Sequence, residues 1–160
     1  MATIITDLKE SFRRGNIYIQ LIYINVGVFV LTTLTEVILQ LFNRSLGGMF
    51  EWLELPASLS RFIVQPWSIL TYMFMHAGVL HILFNMLWLY WFGALFLNFF
   101  SAKHLRGVYI LGGICGGILY MAAYNIFPYF QPMTEYSFML GASASVLAIV
   151  AATAYREPNY

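Results

Sequence analysis

Apolar residues in this chain come in four long runs that charged residues rarely interrupt. The runs cover about residues 18–42, 79–100, 108–127 and 138–155. Because about 20 apolar helical residues cross the hydrocarbon core of a bilayer, each run predicts a transmembrane helix. The first contains one acidic residue, Glu36, and the fourth is the shortest and the richest in small residues. The pattern predicts an all-α, polytopic membrane helix bundle.

The connection between the first two runs, residues 43–78, is too long for a turn and too apolar for a solvated loop. Its prolines interrupt any long helix, while Trp52 and Trp67 suit the depth of lipid headgroups. We therefore expect this connection to lie in the outer membrane interface. Residues 18–160 show no repeat and no low-complexity linker, and are predicted to form one membrane domain after a short lead, residues 1–17.

Basic residues indicate how the bundle is oriented in the membrane. The lead is charged and lacks the apolar run and cleavage site of a signal peptide. One side of the predicted membrane holds Lys9, Arg13, Arg14, Lys103, Arg106 and Arg156, and the other holds Arg44 and Arg61. Since the side with more Lys and Arg is cytoplasmic, we expect a multi-pass protein with a cytoplasmic N-terminus, in a plasma or inner membrane.

The composition excludes several classes of protein. Of the 160 residues, 61% are hydrophobic and only 9% are charged, which is far from the balance of a soluble globular domain. A net charge of +1 with 8 Lys and Arg gives no basic patch for a phosphate backbone, so nucleic acid is not an expected partner. The single cysteine, Cys115, cannot form an internal disulfide and is interpreted as a packing residue. The lipid bilayer is the expected environment.

Polar side chains inside the predicted spans are the candidates for chemistry, because burying them in lipid is costly. His81 and Asn85 are four residues apart, so they point from one face of the second helix. In the fourth run, Ser143 follows Gly141 and Ala142, whose small size leaves its hydroxyl accessible to a substrate. Both features also have a purely structural interpretation. Polar groups can hydrogen-bond between helices, and small residues let helices pack closely.

The third run contains two overlapping G-x-x-x-G patterns, of which Gly112 with Gly116 is the first. Such patterns predict close packing between helices. His76 lies five residues before His81, a spacing that turns two helical side chains to different faces and disfavours a shared metal site. We therefore expect no metal site at these histidines.

Three segments together resemble the rhomboid intramembrane serine proteases. They are H-A-G-V-L-H-I-L-F-N at residues 76–85, W-L-Y-W-F-G at residues 88–93 and G-A-S at residues 141–143. The resemblance implies a rhomboid-like bundle in which four of the usual six transmembrane helices are present. It also implies cleavage of transmembrane proteins by a serine and histidine dyad, without a cofactor.

The resemblance implies a role for each candidate residue. Ser143 would be the nucleophile. The side chains of His81 and Asn85 would stabilise the oxyanion of the tetrahedral intermediate, together with the backbone N–H of Ser143. Transmembrane protein substrates would be the partners. The residues that would support the site are His76, Gly141 and Ala142.

The chain departs from the family at the general base, which is a histidine in the sixth span. No histidine follows Ser143 in this sequence, and His104 falls in the predicted cytoplasmic connection before the third span. We therefore expect the chain to stop short of the last two helices and to be nearly inactive as it stands. The alternative is a catalytically dead rhomboid-like module that binds transmembrane helices. The retained oxyanion residues argue weakly against that alternative.

Overall fold

The computed structural model describes residues 6, 9–10, 12–13, 15–44 and 48–157. Arg14 and most of the charged lead therefore lie outside the described residues. The helices from residue 17 onward are α1 (Ile17–Leu41), α2 (Leu59–Val64), α3 (Ser68–Thr71), α4 (Val79–Phe96), α5 (Ala102–Ile126) and α6 (Ser143–Arg156). The shorter elements are β1 (Leu55–Pro56), β2 (Phe138–Met139) and the 3-10 turns Met49–Trp52, Tyr72–Phe74 and Gln131–Met133.

Within the described residues, three helices are long and apolar enough to cross a membrane: α1, α4 and α5. They coincide with the first three apolar runs, and they confirm the polytopic helical bundle. Two ends differ from the prediction, because α4 already ends at Phe96 and α5 already begins at Ala102. The early start of α5 has a local cause. The Ser101 hydroxyl accepts the backbone N–H of His104 and so caps the helix.

The fourth predicted span, residues 138–155, is wrong at its N-terminal end. Phe138 and Met139 form β2, which pairs antiparallel with β1, and α6 begins only at Ser143. Gly141 separates the two elements with φ +115°, which no helix contains. The 14 residues of α6 make it about 21 Å long, shorter than a hydrocarbon core of about 30 Å. A helix of this length with its C-terminal end at one interface would have its first residue below the opposite membrane surface.

The described part of the connection between α1 and α4 is folded into short elements. The rings of Trp52 and Trp67 stack with centroids 6.1 Å apart, and the Trp67 indole N–H donates to the Trp52 carbonyl at 2.8 Å. Tyr72 and Met73 are completely buried. The connection therefore contributes to the core of the bundle in addition to any contact with the membrane interface.

The first helix packs on α4 and α5. A Cβ added at Gly93 of α4 would stand 2.6 Å from the Cβ of Tyr18, so the two helices are in close contact there. About two turns further along α1, the completely buried Asn25 donates its amide N–H to the Tyr109 hydroxyl of α5 at 3.2 Å. A hydrogen bond between buried side chains thus links α1 to α5.

The contact between α5 and α6 is made by small residues. A Cβ added at Gly116 would stand 2.5 Å from the Cβ of Ala144, and one added at Gly112 would collide with the Cβ of Ala148. The close packing that the G-x-x-x-G pattern predicts is therefore confirmed. It holds the helix that carries Ser143 directly against the backbone of α5.

Replacing Gly116 by alanine is expected to lower the free energy of unfolding by about 1–3 kcal/mol, because the added methyl group overpacks this contact. Gly107→Ala is the matched control, since a Cβ at Gly107 in the same helix meets no atom of the described residues within 4 Å. There the helix propensity of alanine should be neutral or stabilise by about 0.5–1 kcal/mol. Unfolding in mixed detergent and SDS micelles, followed by circular dichroism, measures both. Equal destabilisation by the two variants would contradict the packing explanation.

Candidate active site

The turn that carries Ser143 is held by backbone hydrogen bonds. Upstream of it, β2 pairs with β1, with Met139 opposite Leu55. The N–H of Gly141 then donates to the carbonyl of Tyr72 at 2.9 Å. Ser143 follows as the first residue of α6 and is exposed, although the two residues before it are buried. The turn thus presents an accessible hydroxyl from a buried, hydrogen-bonded backbone, as a nucleophile requires.

His81 and Ser143 approach each other around Gly141. The position that a Cβ of residue 141 would take lies 2.7 Å from Nε2 of His81 and 3.9 Å from Oγ of Ser143. One turn further along α4, the buried Asn85 donates one amide N–H to the main-chain carbonyl of His81 at 2.9 Å. Its amide carries a second N–H donor. The structure therefore places the three predicted site residues in one region between α4 and α6.

An apolar groove with a volume of about 320 Å³ opens beside the serine, between α4 and α6. Asn85 and Ser143 contribute polar groups to walls that are otherwise aromatic and aliphatic. An apolar segment in this groove would therefore lie next to both a hydroxyl and an amide donor. The apolar walls consist of Phe84, Trp88, Val146, Leu147 and Val150.

His76 supports the turn from its buried side. The Ala142 N–H donates to Nε2 of His76 at 3.5 Å. The other ring nitrogen of His76, Nδ1, lies 3.4 Å from the Phe74 carbonyl. A neutral ring with its proton on Nδ1 satisfies both contacts. The ring also lies edge-on to His81, with centroids 5.1 Å apart. The expectation that the two histidines point to different faces of one helix is wrong, because α4 begins only at Val79 and His76 precedes it.

The surroundings of His76 make the stability of the protein depend on pH. Burial, and after it the nearby His81, lower the pKa of His76 from 6.5 to about 4. The unfolded chain takes up a proton below pH 6.5, whereas the folded protein resists it until about pH 4. Stability is therefore expected to decrease as the pH falls from 6.5 towards 4, and to level off below that.

Unfolding midpoints measured across this pH range test the prediction. His76→Gln should flatten the decrease, because the titrating ring is removed while an acceptor for the Ala142 N–H is kept. His104→Gln, which replaces an exposed histidine at the start of α5, should leave the decrease unchanged. An unaltered slope in His76→Gln would show that another group is responsible.

A second cavity, of about 530 Å³, lies beside His76 between α1 and the connection that follows it. Glu36, Glu51 and Glu54 line it, and burial followed by the charge of Glu51 raises the pKa of Glu54. Glu36, the acidic residue of the first span, thus lines a cavity that other polar and charged side chains also line. This placement explains how α1 accommodates a carboxylate.

In the ranges that the structure describes, no group of three or more His, Cys, Asp and Glu side chains could hold a metal ion.

Tyr72 contacts the serine turn but was not predicted from the sequence. Its main-chain carbonyl accepts the Gly141 N–H, and its hydroxyl donates to the Gly113 carbonyl at 2.6 Å. A main-chain contact leaves no trace in a side-chain pattern, so the sequence offered no signal for it.

Comparison with known proteins assigns the family. The family model of the Rhomboid domain matches residues 64–160, which is more than half of the chain, and the chain therefore belongs to the rhomboid family. It is similar to the RHOMBOID-like protein 7 of Arabidopsis thaliana, with 38% identity over 55 residues. That match covers 34% of this chain and only 18% of the relative.

The family and the fold together define a multi-pass membrane protein of a protease-like family. Membership implies a lipid environment. The resemblance noted in the sequence is thereby confirmed at the level of the family.

Proposed function

We propose that this protein is an intramembrane serine endopeptidase that cleaves transmembrane proteins, with Ser143 as its nucleophile. The main support for the proposal is one observation. The exposed Ser143 hydroxyl and Nε2 of His81 both lie within 4 Å of the same point beside Gly141. An accessible serine next to a side-chain donor, at the start of a helix too short to cross the bilayer, suits attack on a peptide bond below the membrane surface.

In the proposed mechanism, Oγ of Ser143 attacks the carbonyl carbon of the scissile bond, and the carbonyl oxygen becomes an oxyanion. Its donors would be the N–H of Ser143, Nε2–H of His81 and the second amide N–H of Asn85. The first N–H groups of a helix have no partner within it, and Ala142 provides no side-chain cap to α6. The positive end of the helix dipole would further stabilise the developing negative charge.

The mechanism also requires a general base to accept the proton of the serine hydroxyl. In these 160 residues every histidine precedes Ser143. His104 lies at the start of α5, where its ring Nδ1 is 2.9 Å from the Ser101 hydroxyl. The proposal therefore needs a base from outside these residues. Cleavage by residues 1–160 on their own is expected to be about 10²- to 10⁴-fold slower than cleavage with that base in place.

We also propose that residues 18–160 act as one membrane domain with the N-terminus in the cytoplasm. The contacts of α1 with α4 and α5 support the first statement. The second is supported by the excess of Lys and Arg next to the start of α1, in the first turns of α5 and at the end of α6.

The test of the proposed function is cleavage of a single-span reporter protein in proteoliposomes that contain the natural full-length protein. Mass spectrometry of the two products locates the cut. We expect the cut within or beside the membrane span of the reporter. Intact reporters across a panel of single-span sequences, or cuts confined to their soluble parts, would refute the proposal.

A further inference from the structure

Tyr72 links the serine turn to α5 through two hydrogen bonds. Its side chain is completely buried. The hydroxyl donates to the carbonyl of Gly113 in α5 at 2.6 Å, while the main-chain carbonyl of Tyr72 accepts the N–H of Gly141 at 2.9 Å. Tyr72 therefore connects α5, which packs against α6, with the turn that leads into α6.

Gly113 of α5 makes this arrangement possible. A Cβ at Gly113 would stand 2.7 Å from Oγ of Ser145 and would collide with the side chain of Met73, which belongs to the same 3-10 turn as Tyr72. The ring of Tyr72 lies near Gly117, where a Cβ would be at an ordinary contact distance of 3.5 Å. The 3-10 turn that contains Tyr72 can therefore lie directly on the backbone of α5, with its hydroxyl at the Gly113 carbonyl.

On its other side, Gly141 is in contact with the ring of His81. Gly141 thus lies between the Tyr72 carbonyl and the His81 ring. Because its φ is +115°, the backbone that joins it to Ser143 is not helical. A shift of the Tyr72 main chain would be transmitted to Gly141 and would change the separation of the serine hydroxyl from His81.

We propose that Tyr72 is a positioning residue for Ser143: its hydroxyl anchors it to α5, and its carbonyl sets the place of the nucleophile relative to the oxyanion donors. The proposal rests on the proposed function of Ser143 as nucleophile. The hydroxyl acts through the turn and does not touch the reacting atoms.

The test compares Tyr72→Phe with Thr71→Val in the natural full-length protein. Phenylalanine keeps the buried ring and removes only the hydroxyl. Thr71 is the matched control, because its hydroxyl also donates to a main-chain carbonyl, that of Leu53 at 2.7 Å, but not to α5. Amide exchange at Gly141 is followed by NMR of glycine-labelled protein in detergent micelles, and kcat and KM are measured with the single-span reporter.

In Tyr72→Phe, exchange of the Gly141 amide is expected to accelerate about tenfold or more. The kcat should fall by about 10- to 100-fold with KM unchanged, since a displaced nucleophile affects the reaction step. Thr71→Val should alter neither quantity by more than about twofold.

Unchanged Gly141 exchange in Tyr72→Phe would overturn the positioning role, whether or not the protein cleaves the reporter. Equal changes in both variants would also overturn it, since they would reflect general loosening of the connection. If the wild-type protein cleaves no reporter, the proposed function fails, and the exchange comparison still decides whether Tyr72 fixes the turn.

Discussion

Ser143→Ala is expected to reduce cleavage of a transmembrane reporter by about 10⁴-fold or more, because the variant keeps the turn and the groove but has no atom to attack the scissile carbonyl. The hydroxyl is exposed at the start of α6, so its removal should leave the free energy of unfolding nearly unchanged. Initial rates in proteoliposomes, together with SDS unfolding curves of the same preparations, measure both quantities.

Ser145→Ala is the matched control for this prediction. Ser145 lies two residues further along α6, is completely buried, and its hydroxyl has no hydrogen-bond partner in the described structure. Removing an unsatisfied buried hydroxyl should be neutral or stabilising, and cleavage should stay within about threefold of wild type. Full activity in Ser143→Ala would exclude this serine as the nucleophile. A loss of equal size in both variants would indicate damage to α6 instead of lost chemistry.

The long spans of the fold could be predicted because a membrane imposes one simple requirement. A backbone in lipid must satisfy its own hydrogen bonds, so long apolar runs become helices, as in α1, α4 and α5. The start of α6 could not be predicted by the same reasoning. Phe138 and Met139 are as apolar as a helical segment, but they pair with Leu55 and Pro56 from a distant part of the chain. Apolar content alone does not distinguish such a strand from a helical turn.

The candidate site was predictable where it depends on side chains at regular spacing. His81 and Asn85 lie four apart on a true helix, and small neighbours expose Ser143. The supporting contacts depend instead on irregular backbone. His76 reaches the ring of His81 because it precedes the helix, and Tyr72 acts through a main-chain carbonyl. Neither contact follows from a helical repeat.

Gly141→Ala is expected to lower the cleavage rate by about 100-fold and to destabilise the protein by about 1–3 kcal/mol. Two effects combine at this position. The φ of +115° is one that L-residues with a Cβ rarely adopt, and the added methyl group would stand 2.7 Å from Nε2 and 2.8 Å from Cε1 of His81. Since the imidazole would have to move, the oxyanion donor is displaced even if the turn keeps its shape. Reporter cleavage gives the rate, and SDS unfolding gives the change in stability.

Gly78→Ala provides the comparison, because Gly78 lies just before α4, only three residues from His81, yet a Cβ there meets nothing within 4 Å in the part of the chain that the structure describes. Its backbone is extended, with φ 179°, so alanine is compatible with it, and both cleavage and stability should remain close to wild type. Together with Ser143→Ala, the two glycine variants distinguish a distorted site from the loss of the nucleophile. The serine variant should lose activity alone, whereas Gly141→Ala should lose activity and stability together. If Gly141→Ala retained wild-type cleavage, His81 could not be the oxyanion donor in the position that the structure gives it.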